Sequence, residues 1–121
     1  MRLMIYARKV TMSQTLQDYI ERRLGFALGR FGNRIDRVTV RLEDLNGPRG
    51  GVDKRCRIEA CVVRSGKLQV EVMDAEIEPA VDRAADRIAR RVNNDLDRSR
   101  EHRRRGVSAV RVEQGPRDNL E

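Results

Sequence analysis

Residues 76–105 read EIEPAVDRAADRIARRVNNDLDRSREHRRR. At about 100° per residue this stretch sorts into the faces of one long helix. Ile77, Val81, Ala84, Ala85, Ile88, Val92 and Leu96 fall on one arc at spacings of three and four, the stripe of a helix that packs on a core. Asp82, Asp86, Asn93 and Asp97 run beside it, and Arg83, Arg87, Arg90, Arg91, Asn94 and Arg98 fill an arc roughly opposite. Like charges four apart destabilise an isolated helix by roughly 0.2–0.5 kcal/mol per pair, and Arg83, Arg87 and Arg91 form such a ladder. Two readings of that arc stay open. One is a surface held ready for an anion. The other is an ordinary solvated face, since arginine outnumbers lysine 23 to 3 and acids early with bases late suit the helix dipole.

Working back from this helix, Leu68, Val70 and Val72 alternate as a strand, entered through a tight turn at Ser65-Gly66. Lys54 to Arg64 gives another strand, with Cys56, Ile58, Ala60 and Val62 turned inward. Residues 35–44 alternate as well, Val38, Val40 and Leu42 on one face and Arg37, Thr39, Arg41 and Glu43 on the other. Between these two strands lies Asn46-Gly47-Pro48-Arg49-Gly50-Gly51, read either as a hairpin connection or as a basic loop that closes on a partner. Further upstream, Leu16, Tyr19, Ile20, Leu24, Ala27, Leu28 and Phe31 recur with helical spacing. Thr11 or Ser13 is its cap, Thr11 with Gln14 fitting a capping box, and Gly32-Asn33 is its stop. Gly25 and Gly29 inside it cost about 1 kcal/mol each against Ala, which close packing on a sheet would explain. Leu3, Ile5 and Ala7 alternate as a first strand.

The order is β-α-β-β-β-α: an α+β two-layer sandwich, a four-stranded sheet with two helices on one face. Residues 1–105 form the expected domain. Residues 106–121 lack a core pattern and form an expected flexible C-terminal tail, with a net charge of about −1 over 107–121.

The 121 residues carry a net charge of +7, which directs attention to a polyanion such as nucleic acid. Only four aromatics are present, Tyr6, Tyr19, Phe26 and Phe31, so single-strand base stacking is not expected as the main mode of binding. No stretch approaches the roughly 20 apolar residues of a membrane span, and the first residues show no signal-peptide pattern. Cys56 and Cys61 are five apart, on opposite faces of one strand, and read as free thiols of a reducing cytoplasm. Catalytic chemistry is scarce. His102 sits in a basic run, the cysteines and that histidine fall short of a zinc set, and no nucleophile elbow or phosphate-binding loop is present. The expectation is no enzyme, no cofactor, no metal, no small-molecule substrate and no membrane.

The element order, the capped first helix from Ser13 and the run Arg87-Ile88-Ala89-Arg90-Arg91-Val92 resemble the ribosome hibernation-promoting factor family, the ribosome-associated inhibitors, in its short form. Arg87 and Arg90 match the two basic positions of the family's basic–apolar–x–basic–polar–apolar run, and Arg23 a basic position of its first helix. Glu78 stands near a place where an aromatic is frequent, and Asn94 where a base is expected one turn beyond Arg90. The resemblance implies a fold like a double-stranded-RNA-binding domain with an added first strand. It implies a cytoplasmic partner, the small ribosomal subunit and its rRNA, with this chain a monomer off the ribosome. Binding there would block the mRNA and tRNA sites sterically and silence translation, with Arg23, Arg83, Arg87, Arg90, Arg91 and Arg98 meeting rRNA. The competing reading is a generic basic nucleic-acid-binding module, an RNA chaperone or DNA-binding protein, with no defined ribosomal site.

Overall fold

The computed structural model describes residues 1–46 and 52–109, with side chains described up to Arg98. Seven elements follow in order: β1 (Arg2–Arg8), α1 (Gln14–Leu28), a 3₁₀ segment (Gly29–Arg34), β2 (Ile35–Asp44), β3 (Lys54–Val62), β4 (Gly66–Asp74) and α2 (Ile77–Ala109). The sheet order is β1-β2-β3-β4. β1 runs parallel to β2, as a crossover through α1 requires, and the other neighbours are antiparallel. The α+β two-layer arrangement is the one the alternation implies.

Register explains the core. Leu3 pairs with Val38, Val38 with Ala60 and Ala60 with Leu68, so one row of apolar side chains crosses all four strands. The rows through Val40 and Ile58 and through Leu42, Cys56 and Val72 do the same. Ile20, Leu24 and Leu28 from α1 and Ala80, Val81, Ala84, Ala85, Ile88 and Val92 from α2 close over them, all buried. α2 lies along β3 and β4, and α1 lies beside α2. Aliphatic and alanine side chains let these layers approach closely. Burying each large aliphatic one contributes about 1.5–3 kcal/mol. Cys56 is part of this core, and burial pushes its thiol up to about 12. Both cysteines are free.

Local details depart from the sequence-based expectations in four places. Ser13 alone caps α1, its hydroxyl accepting from the Leu16 N–H at 3.1 Å, so the Thr11–Gln14 box is not used. The α-helix ends at Leu28, and the chain continues as a 3₁₀ segment until Gly32, whose φ of 57° breaks it. Gly25 and Gly29 do not pack on the sheet: both are exposed, and a Cβ on either would meet nothing within 4 Å. The β3–β4 turn is centred on Val63, Arg64 and Ser65 rather than Ser65-Gly66. Arg64 and Gly66 take φ of 71° and 100°, and Ser65 N–H donates to the Val62 carbonyl at 3.0 Å. β3 therefore stops at Val62, short of Arg64.

β2 and β3 pair antiparallel, and Leu45 N–H donates to the Asp53 carbonyl at 2.9 Å. Residues 47–51 thus join two hairpin strands; the loop itself lies outside the described residues. α2 continues to Ala109, past the expected boundary at residue 105, and residues 110–121 of the expected tail lie outside the described residues.

Candidate nucleic-acid interface

β4 is an edge strand, and an edge leaves every second carbonyl without a partner in the sheet. The arginine ladder of α2 meets those carbonyls. Arg83 Nη1 donates to Met73 O at 3.2 Å, Arg87 Nη1 to Glu71 O at 3.4 Å and Arg91 Nη1 to Gln69 O at 3.1 Å. The match is geometric. Four residues of helix advance about 6 Å and two residues of strand about 6.8 Å, so both runs stay in step over three contacts. The like-charge ladder therefore has a structural cause, capping the sheet edge. Each guanidinium has five N–H donors, so one spent on a carbonyl leaves others for an anion, and the side chain is already held in place.

Arg83 also reaches the Asp74 carboxylate at 3.2 Å. Asp74 accepts besides from the Ala75 and Glu76 N–H groups at 2.7 and 3.3 Å, where the chain enters α2. Burial works to raise its pKa, but these hydrogen bonds and the Arg83 charge outweigh it and hold the carboxyl below its ordinary value.

Arg23 has a different setting. Its Nε lies 3.1 Å from Asp82 Oδ1 and its Nη2 2.7 Å from Asp86 Oδ1, and Tyr19 donates its hydroxyl to Asp82 Oδ1 at 2.5 Å. This cluster ties α1 to α2. The bond to Asp82, helped by burial, raises the Tyr19 pKa, and the Arg23 side chain is only 24% exposed. The sequence placed Asp82 and Asp86 beside the apolar stripe; nothing in it paired them with a residue about sixty positions upstream.

Arg90 stands apart from the comb. It lines an open groove of about 790 Å³ between the helices, with Arg23, Arg30, Asp86 and Asn93 around it and Phe26 on the rim. It also borders a second groove over β4 with Arg87, Arg91 and Asn94. Arg90 and Arg98 are both exposed, and among the described residues neither is in an ion pair. Phe26 is 85% exposed, a feature periodicity could have flagged, since Phe26 lies off the apolar stripe of α1. The structure thus brings Arg83, Arg87, Arg90 and Arg91 onto one continuous surface, extends it to Arg98 along the helix, and sets Arg23 at the floor of the groove. His102 lies where only the backbone of α2 is described.

These features define a class: a two-layer α+β domain whose helix layer presents guanidinium groups to solvent. Among the described residues no three potential metal ligands gather, and no helix is long and apolar enough to cross a membrane. Residues 3–100 match the family described as "Sigma 54 modulation protein / S30EA ribosomal protein", and the chain belongs to that family. Among solved structures, the N-terminal domain of Thermus thermophilus Protein Y superposes with a TM-score of 0.65 at 24% identity, covering 78% of this chain and 98% of that one. A ribosomal subunit interface protein from Coxiella burnetii gives 0.64 at 13% identity, covering 78% and 96%. At these identities the two structures bear on the fold alone. No curated protein matches the chain.

Proposed function

We propose that this protein is a ribosome-associated translation silencer that grips small-subunit rRNA through the arginine surface of α2 and blocks the mRNA and tRNA sites by occupying them. The observation that carries the reading is the α2 arc itself: Arg83, Arg87 and Arg91 aligned by the β4 edge, with Arg90 and Arg98 exposed beside them, in a chain of an S30EA family. Structured RNA is met largely through phosphates, 2′-hydroxyls and shape. A row of preoriented planar forks suits phosphates better than flexible ammonium groups would. Arg90 and Arg98 have the most free donors and carry the largest share. Arg83, Arg87 and Arg91 contribute with the donors their carbonyl bonds leave. Arg23, committed to two carboxylates, acts mainly by holding α1 against α2. The mechanism needs no chemistry, only a folded body that resists being displaced from the path of mRNA and tRNA.

Sedimentation of the protein with purified ribosomal particles in a sucrose gradient tests this. The protein is expected with small subunits and whole ribosomes and absent from isolated large subunits. Arg90→Gln with Arg98→Gln should weaken binding and flatten the log-affinity against log-salt slope by roughly 0.7–0.9 per lost phosphate contact. Equal binding to both subunits would support the generic basic module instead.

A further inference from the structure

The sheet face turned away from the helices carries charge that neither the core nor the α2 arc accounts for. The pairing registers place seven basic side chains on this face against three acidic ones, Glu43, Glu59 and Glu71. Two like-charged pairs stand directly opposite each other on neighbouring strands, Arg2 with Arg37 and Arg41 with Arg57. Such pairs destabilise a sheet, and a face that needed only solvation would alternate signs. The acids offset part of this charge: Glu43 on β2 pairs with Arg8 and Arg55, and Glu71 on the β4 edge with Arg55 and Arg57. Arg41 has no carboxylate partner among the described residues. Its guanidinium lies 4.8 Å from the Tyr6 ring centroid. Arg57 keeps a solvent-shielded Nε with no hydrogen-bond partner. Tyr6, Arg8, Arg41, Arg55 and Arg57 line a cleft of about 250 Å³ at this end of the face, with Glu43 among them as its one carboxylate.

The geometry points to an extended RNA strand lying across this face, its phosphates on Arg41 and Arg57 and one base in the cleft beside Tyr6 and Arg41. Charge complementarity selects a polyanion, and planar forks select phosphate. The cleft admits one nucleotide-sized group, which requires an unstacked base and so a single strand rather than a duplex. With one aromatic on the face, phosphate contacts supply most of the binding and stacking adds to them. The inference takes only the class of partner from the reading above; the surface is a different one, on the opposite side of the sheet from the helices.

Fluorescence anisotropy with an unstructured, labelled RNA of about ten nucleotides, read from about 50 to about 200 mM salt, tests it. The double variant Arg41→Gln with Arg57→Gln should lose about tenfold in affinity and flatten the salt slope by about 1.4, two single-strand phosphate contacts. Tyr6→Ser should lose about fivefold or more. Arg90→Gln with Arg98→Gln should keep oligonucleotide binding while weakening ribosome binding, so the two surfaces fail separately. Photocrosslinking of a 4-thiouridine oligonucleotide to the unmodified protein should label β1 and β2, a readout that depends on no variant folding. The inference is overturned if the parent does not bind the oligonucleotide, if the sheet variants bind as the parent does, or if crosslinks map to α2. Competition by polyglutamate as effective as by RNA would show a site that reads charge alone, and would overturn it too.

Discussion

Asp74 ends β4, and its carboxylate meets the Ala75 and Glu76 N–H groups and the Arg83 guanidinium within two residues of where α2 begins. One side chain thereby closes the strand, satisfies orphan donors at the helix entry and anchors the first tooth of the arginine comb. Its pKa is set by two opposed effects: burial works to raise it, and the three donors, which win, lower it. A carboxyl depressed by folding binds protons more readily in the unfolded chain, so its contribution is complete above the ordinary carboxylate range. It is lost as pH falls through the depressed value. Asp74→Asn is therefore expected to lower the urea midpoint at neutral pH. The gap to the parent should close on acidification below about pH 4. Asn keeps an oxygen for the two N–H groups, so the difference isolates the charge. A gap that stays constant down through the acid range would mean that another carboxylate governs the limb.

At the scale of elements, α1 carries a local cost that its packing does not recover. Gly25 lies on its exposed side with open space where a Cβ would sit, so Gly25→Ala should stabilise the protein by about 0.5–1 kcal/mol. Gly32→Ala should cost about 1 kcal/mol or more, because Gly32 holds φ 57° and ψ −130° to release the chain into β2. Denaturant midpoints of the two variants should move in opposite directions; a destabilised Gly25→Ala would show that the bare backbone there is needed by the fold. The apolar periodicities were legible because period and burial are the same physical fact: Val38, Val40 and Leu42 alternate in sequence and share the core. The arginine ladder was legible as a ladder but not as an edge cap. Which carbonyls Arg83, Arg87 and Arg91 meet depends on how α2 lies over β4, and no local pattern encodes a packing angle. The Arg23–Asp82–Asp86 cluster was hidden for the same reason. The sheet's outer arginines were visible as alternation, but Arg41 opposite Arg57 follows only from register, which the antiparallel pairing of β2 and β3 sets.

For the molecule as a whole, the governing quantity is an unbalanced charge of +7, part of which lies on two surfaces, the α2 arc and the outer face of the sheet. Its ion pairs range from exposed, as Arg2 with Asp36 at 71% and 63% side-chain exposure, to half-buried, as Lys54 with Asp44 at 19% and 13%. The exposed ones are worth about 0–1 kcal/mol each and weaken with salt. The repulsions include the comb of α2, with carbonyls rather than carboxylates under Arg87 and Arg91, and the opposed arginines of the sheet. Half-buried pairs are screened less than exposed charges, so a net basic surface should lose more repulsion than attraction on screening. Sodium chloride raised from about 10 to about 150 mM shortens the Debye length from about 30 to about 8 Å. Over that range the thermal midpoint is expected to rise by a few degrees, since relief of about 1 kcal/mol shifts a domain of this size by roughly 4 °C. RNA affinity should fall over the same range, because each phosphate contact releases counterions that added salt holds back. The two trends have opposite signs and one cause. Scanning calorimetry and anisotropy on a single salt series read both, and Arg41→Gln with Arg57→Gln should show the smaller thermal rise because one opposed pair is gone. A thermal midpoint that falls with salt would instead mean that the exposed ion pairs outweigh the repulsion and that the arginine surfaces are balanced within the fold.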